Sequence, residues 1–205
     1  MKTRRATIVA LLASAASILS TTPAGAQTVR HHDASGDVVR ANAEGTVLTP
    51  VPHRRQGDIT WVRATYHRHS LVLVMRFAAL TMERRTQFHY FSVHTSTGLE
   101  RDALVNSGRK YPRGAAVLAD RRGSYLRCHI GHRVSYRHNT VSVRIPAGCL
   151  GRTPWVRVGF GEANGPQDLF GMGPMFVDEG YLSGPMSDEA VTNGALTYGP
   201  RVRRG

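Results

Sequence analysis

Three aspartates cluster around glycines early in this chain: Asp33 three residues before Gly36, Asp37 after Gly36, and Asp58 after Gly57. Hard cations such as calcium need several oxygens drawn together, and tight turns are how loops assemble them. The same pattern serves turn chemistry alone, because Asp accepts local backbone N–H bonds and Gly takes positive φ. Nothing like an EF-hand loop is present, and turn chemistry is the simpler reading. His67-Arg68-His69 is a second candidate. On an extended segment both imidazoles would share one face, a spacing that suits zinc or copper. His31, His32, His129 and His132 could add ligands from other segments. The plain alternative is an exposed, unpartnered pair near the turn before Leu71. Calcium and zinc are thus the cofactors with candidate ligands, and the sequence demands neither.

Nucleophilic chemistry has thinner support. Ser107-Gly108-Arg109-Lys110 fits the S-x-x-K pattern, in which a serine opens a buried helix and the lysine one turn later activates it. Gly108 and Pro112 argue against a helix there, and no S-D-N or K-T-G partner exists. G-x-S-x-G, H-E-x-x-H and P-loop patterns are absent. A triad would still be recognised by geometry and not by chain order. Trp61, Tyr66 and Trp155, with Tyr90, would form a sugar-stacking platform on an exposed sheet face, although sandwich cores use the same residues. Cys128 and Cys149 are the only cysteines, and an isolated pair in an exported chain reads as a structural disulfide. Closing a loop of about 22 residues contributes roughly 3 kcal/mol in the chain-entropy account.

The elements that must position these groups are strands. From Gly57 to Gly161 apolar residues recur with period two between turn signals. Ile59 and Trp61 alternate with Val62, Ala64 and Tyr66; Leu71–Met75 is apolar on both faces and reads as an inner strand; Phe88–Thr95 follows. Tyr125–Ile130 reads as a strand ending near Cys128. Val141, Val143 and Ile145 oppose Ser142 and Arg144, and pair with 134–137 through a turn at His138-Asn139. Val156, Val158 and Phe160 give one last strand. Ala78–Arg84 is the best short helix candidate. The expectation is an all-β, antiparallel β-sandwich of eight or nine strands, jelly-roll or immunoglobulin-like, over residues 27–160. Residues 27–56 read as an extended leading segment, and 161–205 as an irregular Gly/Pro-rich acidic arm with a mobile tail from about Ser187.

The chain opens with Lys2, Arg4 and Arg5, then an apolar run from Ala6 to Ser20, then Ala24-Gly25-Ala26. This is the pattern of an export signal over residues 1–26, and its apolar run is too short to span a bilayer. The product is expected to be secreted, with no transmembrane segment. The formal net charge of +13 falls to +10 beyond those residues, because they hold three bases and no acid. Residues 27–160 carry 21 Lys/Arg against 8 Asp/Glu, while 161–200 carry six acids and no base. A basic body of this kind seeks polyanions such as cell-wall polymer. Two plainer accounts compete: the acidic arm could lie over the basic body, and 25 of the 27 bases are Arg, as a GC-rich coding bias would give.

Asp33-x-x-Gly36-Asp37, Gly57-Asp58-Ile59, Ile145-Pro146-x-Gly148-Cys149-Leu150-Gly151 and Trp155-Val156-Arg157-Val158-Gly159 together resemble uncharacterised secreted proteins of high-GC Gram-positive bacteria. The resemblance spans residues 33–160 and implies a secreted sandwich without implying an activity. The opening Asp/Gly-Asp pattern is also similar to carbohydrate-binding sandwiches of the family 9 and DOMON kind. The functional expectation is a non-catalytic binding or envelope-associated module for carbohydrate or polyanionic wall polymer, with a small extracellular hydrolase as the alternative.

Overall fold

The computed structural model describes residues 25–42, 47–165, 174–182 and 196–205. Most of the proposed export signal, and the arm residues Asp168, Leu169, Phe170, Met172, Met186, Asp188 and Glu189, lie outside them. Thirteen antiparallel strands form two sheets: β1 (Gln27–His32), β2 (Val39–Ala41), β3 (Leu48–Pro50), β4 (Ile59–Tyr66), β5 (Ser70–Phe77), β6 (Thr86–Thr95), β7 (Glu100–Ser107), β8 (Ala115–Asp120), β9 (Gly131–Ser135), β10 (Thr140–Pro146), β11 (Trp155–Gly165), β12 (Met175–Glu179) and β13 (Val202–Arg203). The five-stranded sheet runs β1-β4-β5-β10-β9, and the larger one β3-β2-β12-β11-β6-β7-β8, with β13 also on β11. The fold is an all-β sandwich. No helix among the described residues is long and apolar enough to cross a membrane.

Alternation decides which side chains enter the core. In β4 and β5 the inward set is Val62, Ala64, Tyr66, Leu71, Leu73, Met75 and Phe77, all essentially sealed from solvent. From the other sheet Phe91, Val93, Ala103, Val105, Val156, Val158 and Phe160 close the same core. Asn139 takes φ 52° in the β9–β10 turn, as its short polar side chain allows. Cys128 and Cys149 are paired with Cα atoms 6.2 Å apart, tying the loop after β8 to the 3₁₀ turn Ala147–Leu150.

Several expectations are corrected. The described strands number thirteen, because short strands at 39–41, 48–50 and 202–203 leave too little sequence for a readable period. Residues 78–84 form no helix: Leu80 N–H donates to Asn139 Oδ1 and Gly57 N–H to Ala79 O, so neighbouring loops take up the backbone. Residues 125–130 are a loop and not a strand, tied to β8 by a Tyr125–Ala119 bridge and by Leu126 N–H donating to Leu118 O. β5 is central in its sheet, yet among the described residues no third sheet covers its outer side, where Arg76 is exposed. The sandwich also continues past residue 160. β11 runs to Gly165, β12 lies on its far half, and β13 on its beginning, so the described parts of the arm and tail add strands to the sheet.

Candidate functional site

The outward face of the five-stranded sheet is written by parity. Strand register sets His32, Trp61, Arg76 and Thr140 in one cross-strand row, and Arg30, Arg63, Val74, Ser142 and Arg133 in the next. Arg144 follows beside Val72. None of the five strands contains an acidic residue. Among the described residues none of these five arginines lies within ion-pair distance of a carboxylate. The Arg30 guanidinium sits 4.8 Å over the Trp61 ring, with Arg63 at 5.9 Å. These contacts hold the ring against the sheet by cation–π attraction. At one end of this face opens a cleft of about 780 Å³, lined by His32, His53, Arg55, Trp61 and Arg76, with Asp58 in its wall.

The acidic counterweight expected from the arm is elsewhere. Glu162, Asp178 and Glu179 are 3%, 2% and 1% exposed and point into the molecule, so these three do not cover the basic face.

Asp178 instead joins two of the glycine-flanked aspartates. Asp33 follows β1, Asp37 precedes β2, and register of β12 on β2 (Val177 opposite Val39) brings Asp178 alongside. One carboxylate oxygen from each of Asp33, Asp37 and Asp178 lies within 4.8 Å of the others. Asp58 stands close by. Its Oδ2 accepts from Gly36 N–H at 3.1 Å and from the Ser35 hydroxyl at 3.3 Å, which ties the 33–37 turn to the start of β4. Asp178 accepts from Ile59 N–H at 2.6 Å and Glu179 N–H at 2.8 Å. Both oxygens of Asp33 and Asp37, and Oδ1 of Asp58, are sealed from solvent with no hydrogen-bond partner. The Ala34 amide leans toward Asp33, and Asp37's own amide toward its carboxylate, without reaching hydrogen-bond geometry. Burial first, then the neighbouring carboxylates, pushes Asp33 up to about 9 and Asp178 up to about 8. Burial, with Asp58, raises Asp37 to about 6.

The other candidates separate. His67 and His69 fall in the exposed β4–β5 turn, where His67 N–H donates to Ser70 O, and not on a strand. Among the described residues no third ligand joins them. Tyr66 is 0% exposed and belongs to the core. Trp155 begins β11 on the larger sheet, under Arg201 at 4.4 Å, so it shares no platform with Trp61.

Ser107 ends β7 and opens no helix, yet it has a histidine. His89 Nε2 lies 2.8 Å from Ser107 Oγ, and His89 Nδ1 lies 2.5 Å from Glu162 Oε2. The Nδ1 contact is at ion-pair distance without aligned hydrogen-bond geometry. The connectivity is that of an acyl-transfer triad, but the environment is not. Ser107 donates its proton to Gln87 Oε1 at 2.9 Å, and Gln87 Nε2 donates onward to Thr81 O. His89 and Ser107 are 0% and 1% exposed, leaving no approach for a substrate carbonyl. This is a buried polar chain that the motif search could not find. Parity held the signal: His89 shares its face with Phe91, and Glu162 with Phe160.

The chain matches no protein-family model, no curated protein and no solved structure.

Proposed function

We propose that this chain is an exported, non-catalytic binding module for anionic carbohydrate, engaged by the outer face of the five-stranded sheet and its adjoining cleft. One observation carries the reading: five arginines and His32 share a face with Trp61, and none of the five strands that form it carries an acid. Lone arginines scattered on a surface need no ligand. Five on one sheet face repel one another and favour a polyanion that relieves the repulsion. Trp61 adds an apolar ring edge of the kind that meets sugar rings. The wall-polymer expectation from sequence fits the same face. The hydrolase alternative has its best residues in Ser107, His89 and Glu162, and their burial weighs against it.

The test is retention of the full chain on immobilised heparin, an acidic polysaccharide. Retention should be strong at low salt and collapse as the screening length shortens from about 30 Å to under 10 Å. A triple variant, R30S/R63S/R133S, should elute at markedly lower salt, while Trp61→Ala should weaken heparin more than polyphosphate. Salt-independent retention, or wild-type behaviour of the triple variant, would refute the reading.

A further inference from the structure

We infer that Asp33, Asp37 and Asp178, backed by Asp58, form a binding site for a single hard divalent cation, calcium by size. This goes beyond the polymer reading and does not depend on it.

The cluster alone would not justify this, since carboxylates can gather and share protons. A second observation does. Asp37 is 5% exposed, both its oxygens lack a partner, and one of them faces the oxygens of Asp33 and Asp178 within 4.8 Å. Buried polar atoms are almost always satisfied, so an unsatisfied carboxylate aimed at two others marks a missing partner. That partner must be positive, because the principal charges acting on Asp33, Asp37 and Asp178 are all carboxylates. The Arg55 guanidinium donates to Ala78 O, and its charge acts on Asp58.

The donor set chooses the ion. Every ligand is oxygen, with no imidazole or thiolate, which selects a hard cation over zinc or copper. Two oxygens bound to one calcium at about 2.3–2.6 Å can stand up to about 5 Å apart, and the observed spacing fits inside that span. Magnesium holds its ligands at about 2.0–2.1 Å in strict octahedra, so it would draw the widest pair closer. Water would complete the shell.

The placement gives the ion a job. Asp33 hangs from the end of β1 in one sheet, and Asp178 lies on β12 of the other, 145 residues later in number. An ion between them pins the edge of one sheet to the other. It also fixes the 33–37 turn, whose Ser35 lines the basic cleft beside Asp58.

The experiment uses the full chain, stripped with EDTA and desalted, then titrated with calcium chloride or magnesium chloride by calorimetry at pH 7 in two buffers of different ionisation enthalpy. Calcium should bind at one site and release protons, so the heat should depend on the buffer. At pH 8, calcium a hundred-fold above its dissociation constant should raise the melting temperature by about 5–10 °C. Magnesium should do less. Asp37→Asn should lose the calcium-dependent shift, yet in EDTA melt no lower than the parent, because it removes an uncompensated charge. Should that variant not fold, Asp33→Asn serves the same comparison. No calcium binding, no calcium shift at pH 8, or a full shift in both variants would overturn the site and leave proton sharing as the explanation.

Discussion

Two of the buried polar clusters in this sandwich are resolved in opposite ways. Between β6, β7 and β11, Glu162, His89, Ser107 and Gln87 form a chain in which donors and acceptors alternate until it ends on Thr81 O. Between the ends of β1, β2 and β12, Asp33, Asp37 and Asp178 bring acceptors only. One set is linked by the protein's own side chains, with Glu162 held at ion-pair distance from His89 Nδ1. The other is completed only by something the chain does not encode. Burial by itself therefore says little about function; the balance of donors and acceptors within the buried set is what separates architecture from a site.

The comparison can be broken hardest at the closed set. His89→Leu strands Glu162 as an unpaired buried acid and should cost about 3–5 kcal/mol in urea unfolding. Replacing Glu162 by Leu as well should restore much of that loss, because the pair is architecture. A double variant as unstable as the single one would contradict this.

The open set should respond next most strongly, to pH. Raised carboxyl pKa values mean the folded state, without a cation, holds protons that the unfolded chain releases near pH 4. The contribution is complete below that point and drains away as pH rises through about 6 for Asp37, 8 for Asp178 and 9 for Asp33. In EDTA, stability should fall by about 2–4 kcal/mol between pH 5 and 9, a figure discounted because the three carboxyls titrate as a coupled set. Calcium should flatten the decline. A rising profile in EDTA would contradict the cluster's electrostatics.

A smaller effect is expected at Gly36, between the two aspartates. It takes φ +82°, and a Cβ there would meet Pro52 O at 2.8 Å. Gly36→Ala should cost about 1–3 kcal/mol and weaken calcium binding along with it. The smallest stability effect belongs to the outer face: Arg63→Ser should move stability by no more than about 0.5 kcal/mol while reducing heparin retention.

Sandwich architecture was legible because alternation in residues 59–77, 88–95 and 140–160 directly encodes which side faces the core. Edge strands of two or three residues carry no period, and β12 and β13 sit in a stretch whose glycines and prolines mask it. The site was half legible. Asp33, Asp37 and Asp58 announce themselves through neighbouring glycines, whereas Asp178 reaches them only through the β12–β2 register. The basic face was visible as a charge excess. That its arginines share one side follows from strand parity, which becomes a surface only once strand order is known.

The shortest strand has a consequence out of proportion to its length. β13 covers the opening of β11 at Trp155 and Val156, while Arg203 N–H reaches Gln27 Oε1, 176 residues away, and Gly205 N–H reaches Tyr66 O. This seam is among the most distant contacts in the chain, so it carries a heavy loop-closure cost and should be among the last to form. Until it does, β11 presents an unpaired backbone edge flanked by an aromatic and a valine, which is a template for another copy's strand. The interval before the seam closes is therefore the period of greatest self-association risk, and removing residues 202–205 would make that interval permanent.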